Sequence, residues 1–241
     1  MRIAILSDIH GNCEALQAVL EDIDGSGADR LVSLGDNVGY GPDPQGVLEM
    51  LGGLKVPSVL GNHEMGLVDV SFLSWFNPSA RKSLAITRRL LTREGMDMIR
   101  TFERRLILGS ALFVHGCPPD SFTRYLFEVH DSEWARLFSR IEQRICFVGH
   151  THELAMVELD ETGVRQRPLS CGIHRLDANH RYVINAGSVG QPRDGDRRAK
   201  YVIWDEAEGL LDIRCLVYDV EKTVKKILDL GLPQINARRL L

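Results

Sequence analysis

The first sixty residues alternate between short apolar runs and amphipathic segments, and this alternation constrains the fold more than any other feature. An apolar run that stops at polar residues, such as Met1–Leu6, is typical of a buried strand. Apolar side chains at helical spacing after Asn12, a good capping residue, indicate a helix. The predicted order is strand 1–6, a helix that ends before Gly25, strand 31–34, a helix from Asp43-Pro44 to about Gly52, and strand 56–60. Such a β-α-β-α-β order predicts a parallel or mixed sheet with crossover helices.

The rest of the chain predicts a helical middle and a strand-rich end. One long helix is expected from Asn77-Pro78 to about Leu91, and a second over Met96–Phe102. Short strands with turn signals between them follow, and a last helix covers Val220–Leu230. These strands are expected at 106–114, 145–148, 155–159, 181–184, 201–205 and 210–217. No repeat or linker interrupts the pattern, so residues 1–241 are predicted to form one domain with a helical insertion at about 77–103.

The charges of the chain nearly balance. The 33 Asp and Glu residues against 29 Lys and Arg give a net charge of −4. This balance excludes a polybasic arm that binds nucleic acid as the main functional feature of the chain. The arginine-rich stretch 81–105 is typical of a solvated helix face, with a lid or an anion-binding surface as the alternative. No apolar run approaches the roughly 20 residues of a membrane span. We therefore expect a cytoplasmic protein with no membrane and no stable nucleic-acid partner, and leave homo-oligomerisation open.

The five cysteines form an odd set without C-x-x-C spacing. This pattern argues against a disulfide framework and against a structural zinc finger. Reduced thiols, as in a cytoplasmic protein, are therefore expected.

Five short polar clusters follow predicted strands, and five of the eight histidines fall in them. The carboxyl ends of strands in an α/β sheet meet at one edge, so these side chains are expected to lie together there. The clusters are Asp8-Ile9-His10, Gly35-Asp36-Asn37, Gly61-Asn62-His63-Glu64, Val114-His115-Gly116 and Gly149-His150-Thr151-His152.

Each cluster alone is a weak signal. Gly35-Asp36 is an ordinary turn pair, and His115 after an apolar run also suits a satisfied core histidine. The Asp-x-His and His-x-His tripeptides at 8–10 and 150–152 each aim two side chains to one side of an extended chain. Together the clusters supply the ligands of a two-metal centre. Mixed imidazole and carboxylate donors suit Mn, Fe, Zn or Ni better than Mg or Ca.

At these motifs the sequence resembles the calcineurin-like metallophosphoesterase superfamily, and most closely its short bacterial phosphoesterases. The resemblance runs from Met1 to about Asp205. It includes the stretch 185–193, which is similar to the family's late Asn-Pro-Gly-Ser-Val-Gly stretch, with Ala186 in place of the proline. It implies an α/β fold in four layers, an α/β/β/α sandwich in which two mixed sheets pack face to face with helices outside.

The resemblance also implies a role for each motif residue. Asp36 would bridge two divalent transition-metal ions (Mn, Fe, Zn, Ni or Co) and act in catalysis with His63. His63 would contact the phosphate or protonate the leaving oxygen. Glu64, where many members have Asp, is close enough in the chain to help hold His63. Asp8, His10, Asp36 and His152 would hold the first ion, Asp36, Asn62, His115 and His150 the second, and Asn62, His63 and Arg193 the substrate. Arg193 lies in the charged run 193–198, which is equally typical of a surface arginine.

The implied function is metal-dependent hydrolysis of a phosphorylated small molecule by a phosphodiesterase or small-molecule phosphatase. A hydroxide that bridges the two ions would be the nucleophile, and the ions would make the pocket cationic although the chain is acidic. A Ser/Thr protein phosphatase and a dinucleoside polyphosphate hydrolase are the nearest alternatives. A metal-binding scaffold of the same fold is the non-enzymatic alternative, but it predicts missing ligands, and all seven ligands and His63 are present.

Overall fold

Two mixed β-sheets form the centre of the computed structural model, which describes residues 1–241. One sheet has five strands and the other has six. The strands are β1 (Arg2–Leu6), β2 (Arg30–Ser33), β3 (Arg105–Leu108), β4 (Ala111–Val114), β5 (Ile145–Val148), β6 (Leu154–Asp160), β7 (Gly163–Pro168), β8 (Gly172–Arg175), β9 (Arg181–Ala186), β10 (Ala199–Asp205) and β11 (Leu210–Leu216). Their order is β2-β1-β10-β11-β8 in the first sheet and β3-β4-β5-β9-β6-β7 in the second. β1 and β2 run parallel, as do β4, β5 and β9, and the other neighbours are antiparallel.

Eight α-helices and two short 3₁₀ helices complete the fold. The α-helices are α1 (Cys13–Asp24), α2 (Pro44–Gly53), α3 (Asn62–Val68), α4 (Pro78–Leu90), α5 (Arg93–Ile99), α6 (Asp131–Ser139), α7 (Val220–Asp229) and α8 (Gln234–Arg238). The 3₁₀ helices are Val70–Trp75 and Leu126–Glu128. No helix combines the length and apolar character needed to cross a membrane.

The alternation of side chains along β1 explains the layers. Ile3 and Ile5 point into the core between the sheets, in one cluster with apolar side chains of the second sheet. Ala4 and Leu6 point the other way and pack in a cluster with α1, α2, α7 and α8. The outer face of the second sheet is covered by α6, through the buried Trp134 among others. The predicted four-layer α/β/β/α sandwich is therefore confirmed.

A smaller apolar cluster joins the helical middle of the chain to α2. It comprises Val38, Leu48, Leu67, Leu84 and Ile99. The predicted long helix is present as α4, whereas α5 begins three residues earlier than expected. The basic side chains of α4 are exposed, as a solvated helix face requires. That these helices are an insertion into a single domain stays a prediction.

Two strand predictions are wrong. Residues 56–60 make only isolated bridges, of Ser58 with Ser33 and of Val59 with Glu103, since Pro57 has no N–H to donate to a ladder. Residues 106–114 form the hairpin β3–β4, which turns at Gly109 with a φ of +58°. β7 and β8 were not predicted from the sequence. Both are polar edge strands, which lack the apolar run that identifies a buried strand.

The expectation of five reduced thiols is also wrong. Cys171 and Cys215 form a disulfide, with their Cα atoms 6.0 Å apart. The two cysteines are 44 residues apart in the sequence and meet because β8 pairs with β11, Gly172 opposite Ile213. Cys13, Cys117 and Cys146 are free.

Candidate metal centre

The charged and imidazole side chains of the five clusters meet at one edge of the two sheets. Parallel strands end at the same edge, so the parallel pairs β1–β2 and β4–β5 explain the convergence. Asp8, His10, Asp36, His115, His150 and His152 are each at most 4% exposed. Asn62 begins α3 and is half-buried beside them. The expectation that these residues lie together is met.

Asp8, His10 and His152 form a first group. Nε2 of His10 lies 3.2 Å from Nε2 of His152, and Oδ1 of Asp8 lies 3.2 Å from that same His152 atom. Oδ1 of Asp8 is 3.7 Å from Nε2 of His10. Three potential ligand atoms thus surround one small volume.

Asp36, His115 and His150 form a second group, with Asn62 at its margin. Nε2 of His115 lies 3.3 Å from Oδ2 of Asp36, and 3.1 Å both from Nδ1 of His150 and from Oδ1 of Asn62. Oδ2 of Asp36 is also 3.8 Å from Nε2 of His10. This one carboxylate oxygen therefore stands between the two groups.

The hydrogen bonds behind the rings leave the inward nitrogens as lone pairs wherever the ring is neutral. In each of the four imidazoles the outward nitrogen faces a backbone carbonyl, which can only accept, so that nitrogen carries the proton. The pairs are His10 with Val38 (3.1 Å), His115 with Leu34 (2.7 Å), His150 with Thr123 (3.1 Å) and His152 with Gln191 (2.6 Å). In the neutral rings the inward nitrogens are then unprotonated and face each other and the carboxylates.

Converging lone pairs need a cation between them, either a proton or a metal ion. Oδ1 of Asp8 is buried and has no hydrogen-bond partner at all. A buried acceptor left unpaired costs free energy, and imidazoles fixed from behind by carbonyls are typical of metal ligands. The residues present therefore fit a divalent metal site.

The charges of the centre agree with this view. Burial lowers the pKa of His150 to about 3, and that of His10 and His152 well below the usual value, so these rings are neutral as ligands must be. At His115 burial also opposes the charged form, but Asp36 and Asp8 overcome it and raise the pKa to about 9. Without a metal, the two carboxylates therefore stabilise an extra proton on His115. A metal ion bound at the centre would replace this proton.

The backbone at the centre is in a sparsely populated conformation. Seven non-glycine residues have a positive φ, and six of them lie in or beside the centre. These six are Asp8, His10, Asp36, Tyr40, His150 and His152, with φ between 50° and 69°. Left-handed backbone costs a non-glycine residue about 1–2 kcal/mol and persists only where the surroundings fix it. These left-handed backbone conformations were not predicted from the sequence. The only sequence signal for them is weak: Asp and His adopt a positive φ more often than most other residues do.

The side chain of Glu64 holds the Asp36 loop. Its carboxylate accepts hydrogen bonds from the backbone N–H groups of Asp36 (2.9 Å), Asn37 (2.7 Å), Val38 (3.3 Å) and Gly61 (3.1 Å). The expectation that Glu64 helps to hold His63 is therefore wrong. The two are neighbours on α3, about 100° apart around the helix, so their side chains point in different directions.

Aromatic packing holds His63 instead. Its ring meets those of Tyr40, Phe76 and His10 edge-on, at centroid distances of 4.4, 5.1 and 4.8 Å. Its Nδ1 is buried without a partner, and any Cβ on Gly39 would collide with that atom. Burial lowers the pKa of His63 to about 4.

Arg193 lies beside the first group. Its backbone N–H donates to the carbonyl of His152 (3.2 Å), and its Nη2 donates to Oε1 of Gln191 (3.1 Å). The guanidinium lies over the ring of Tyr40, 5.8 Å from its centroid. The side chain of Arg193 is half-buried. These contacts place it near the centre, and its contact with substrate stays a prediction.

A cleft of about 520 Å³ opens beside the second group, and the sequence did not reveal it. Asn62 and His150 belong to both the cleft and the centre. Its aromatic lining comprises Tyr40, Phe72, Trp75, Phe76 and Tyr125. The close spacing of three aromatic residues within 72–76, just after the Asn-His-Glu motif, is the signal that could have found it.

Comparison with known proteins identifies the family. The model of the calcineurin-like phosphoesterase superfamily domain matches residues 1–209. An uncharacterized protein of Methanocaldococcus jannaschii is 34% identical over an alignment of 248 positions, which covers 99% of this chain and 96% of that protein. A metallophosphoesterase from Sphaerobacter thermophilus is also 34% identical, with a TM-score of 0.85 and coverage of 100% of this chain and 98% of that one. A hypothetical protein from Pyrococcus horikoshii OT3 shares the fold at 20% identity, with a TM-score of 0.80 and coverage of 99% and 97%.

The family match spans all the clusters of the centre, and the fold agrees over the full chain. The buried His and Asp groups of the centre fit a divalent metal ion. The chain therefore belongs to the calcineurin-like phosphoesterase superfamily and is a hydrolytic enzyme.

Proposed function

We propose that this enzyme hydrolyses small-molecule phosphate esters, as a phosphodiesterase or small-molecule phosphatase, with two divalent transition-metal ions. The observation that supports the proposal is the position of Oδ2 of Asp36, 3.8 Å from Nε2 of His10 and 3.3 Å from Nε2 of His115. A carboxylate between two groups of lone pairs can serve both. Two ions held there would supply Lewis-acid activation of the phosphoryl oxygens and of an attacking water.

The proposed ligand sets divide the centre in two. The first set is Asp8, His10, Asp36 and His152, and the second is Asp36, Asn62, His115 and His150. Imidazole-rich sets favour Mn, Fe, Co, Ni or Zn over Mg, which prefers oxygen ligands. The carbonyls behind the rings fix their orientation, so the chain presents the ligand atoms before any metal binds.

His63 would act on the leaving oxygen. Its Nδ1 is closed off against Gly39, so Nε2 is the atom that can meet the substrate. A hydrogen bond donated by Nε2 of the neutral ring stabilises the charge that develops as the P–O bond breaks, an effect worth about 10² in rate, the lower end of the range for general acid–base groups. The rings of Tyr40 and Phe76 restrict the imidazole to this orientation.

Asn62 and Arg193 would hold the phosphoryl group. Asn62 presents its amide at the border between the centre and the cleft. Arg193 makes its side-chain hydrogen bond with the neutral Gln191 and so keeps its positive charge for an anion. A guanidinium can hold two oxygens of a phosphate at once.

The test is reconstitution of activity with defined metals. Metal-stripped protein is loaded with Mn, Co, Ni, Zn or Mg and assayed on aryl phosphomonoesters and phosphodiesters, cyclic nucleotides, dinucleoside polyphosphates and a phosphoserine peptide. We expect turnover of a small-molecule ester to rise until two equivalents of a transition metal are bound. Saturation at one equivalent, or turnover of the phosphopeptide alone, would contradict the proposal. Asp97→Asn, at an exposed carboxylate on α5, is the matched control for changes at the centre.

A further inference from the structure

The cleft beside the centre is shaped for a small molecule. Its volume of about 520 Å³ falls within the range of small-ligand sites, which are concave, mostly apolar and edged by a few polar groups. Asn62 and His150 line both the cleft and the centre. A ligand whose phosphate is bound at the centre can therefore extend into the cleft.

Trp75 gives this cleft an unoccupied aromatic face. The side chain is 75% exposed at the end of a 3₁₀ helix, and no other aromatic ring stacks on it. Burying it against another ring would recover apolar area now in contact with water. An indole held at the mouth of a cleft is a platform for a planar aromatic group.

The wall nearest His150 is built of stacked rings. The ring of Tyr125 stacks on that of His150 at 3.8 Å with an interplanar angle of 16°, and Phe127 stacks on Tyr125 at 4.7 Å and 14°. The cleft thus has one wall of stacked rings and, in Trp75, one open aromatic face.

Polar groups at the rim can recognise the edge of a heteroaromatic ring. The Oδ1 of Asn77 accepts the N–H of Ala80, which leaves its amide NH₂ to donate. Glu128 uses Oε2 for the N–H of Tyr125, which leaves Oε1 to accept. A nucleobase carries both donors and acceptors on its edge and can pair with these groups, whereas an alkyl chain can pair with neither.

We propose that the cleft binds the nucleobase of a nucleotide ester, stacked on Trp75, while its phosphate lies at the centre. This inference rests on the proposed function and narrows it to nucleotide substrates. Base stacking on an aromatic side chain does not depend on a metal, so it can be measured separately from hydrolysis.

The experiment compares three ligands on metal-free, full-length protein: AMP, ribose 5-phosphate and phenyl phosphate. Trp134 and Trp204 are fully buried, so emission that a ligand quenches at the surface comes from Trp75. We expect AMP to quench this emission and, by calorimetry, to bind at least about tenfold more tightly than the other two ligands. Equal affinity for AMP and ribose 5-phosphate would overturn the inference, as would equal affinity for AMP and phenyl phosphate.

Variants assign the preference to the cleft. Trp75→Ala is expected to remove most of the preference for AMP, and Trp75→Phe to keep much of it, because a phenyl ring still stacks. Ile173→Ala, at another exposed apolar side chain far along the chain on β8, is the control and should change nothing. A preference for AMP that survives Trp75→Ala would contradict the role of Trp75. Metal-dependent hydrolysis without a base preference would refute this inference alone, whereas base binding without hydrolysis in any metal would refute the proposed function.

Discussion

The metal centre and the aromatic cleft share Asn62 and His150 but are built in opposite ways. In the centre the side chains are buried, the backbone is held in the left-handed region, and a carbonyl fixes each ligand ring from behind. In the cleft the most prominent side chain, Trp75, is exposed and has no ring partner. The centre tolerates little change because each of its groups is held by several others. The cleft can change a side chain without disturbing its surroundings, so chemistry and substrate choice are separable in this molecule.

The largest effect is expected at the carboxylate shared by the two groups. Asp36→Asn keeps the shape but removes the charge between His10 and His115. Even the loss of a group behind a metal ligand typically costs 10–100-fold, so removal of a shared ligand should lower kcat by more than about 100-fold. Elemental analysis should show less than two equivalents of metal. Two tightly bound ions and near-normal kcat in this variant would show that Asp36 is not shared.

The next effect separates chemistry from metal binding. His63→Ala should lower kcat by about 10²-fold on an ester with a poor leaving group, since the hydrogen-bond donor to the leaving oxygen is gone. His63 is outside both proposed ligand sets, so the metal content should stay at two per chain. Activity close to wild type with both metals retained would remove His63 from the mechanism.

An intermediate effect is expected on stability. Glu64→Gln leaves at least one of four buried N–H groups without an acceptor, and each such loss costs about 1–3 kcal/mol. Urea unfolding of the metal-free protein should show a decrease of roughly 3 kcal/mol in the free energy of unfolding. Glu94→Gln, at an exposed carboxylate on α5, should leave the midpoint unchanged. Equal midpoints for the two variants would mean that Glu64 does not hold the Asp36 loop.

The smallest effect on the centre is expected from the cleft. Trp75→Ala removes an exposed side chain, and such changes usually alter stability by no more than about 0.5 kcal/mol. Its metal content and its kcat on a phosphate ester without a base should equal those of the wild type. Loss of metal in this variant would show that the two regions are coupled rather than separable.

The sequence predicted the centre better than its surroundings. The ligands follow strand ends, and parallel strands bring their ends to one edge, so Asp8, Asp36 and His115 could be grouped without a structure. The order of the first sixty residues predicted a parallel or mixed sheet with crossover helices, and the four layers were implied by the resemblance to the metallophosphoesterases. Grouping the ligands needs only the order of strands and polar clusters along the chain, which can be read from a sequence.

The features that were missed depend on contacts between distant residues. The bond of Cys171 to Cys215 needs the pairing of β8 with β11, and β8 is too polar to be recognised as a strand. The role of Glu64 needs the Asp36 loop to lie within reach of α3. The cleft needs Trp75 and Tyr125, 50 positions apart, to line one cavity. Such contacts follow from packing, which periodicity does not encode.

We propose that two ions share Asp36. Anomalous X-ray scattering from crystals of the Mn- or Co-loaded enzyme can locate each ion and its ligands. We expect two peaks about 3.5–4 Å apart, with the carboxylate of Asp36 in contact with both. A single peak, or two peaks with Asp36 bound to only one, would show that the ions do not share this residue.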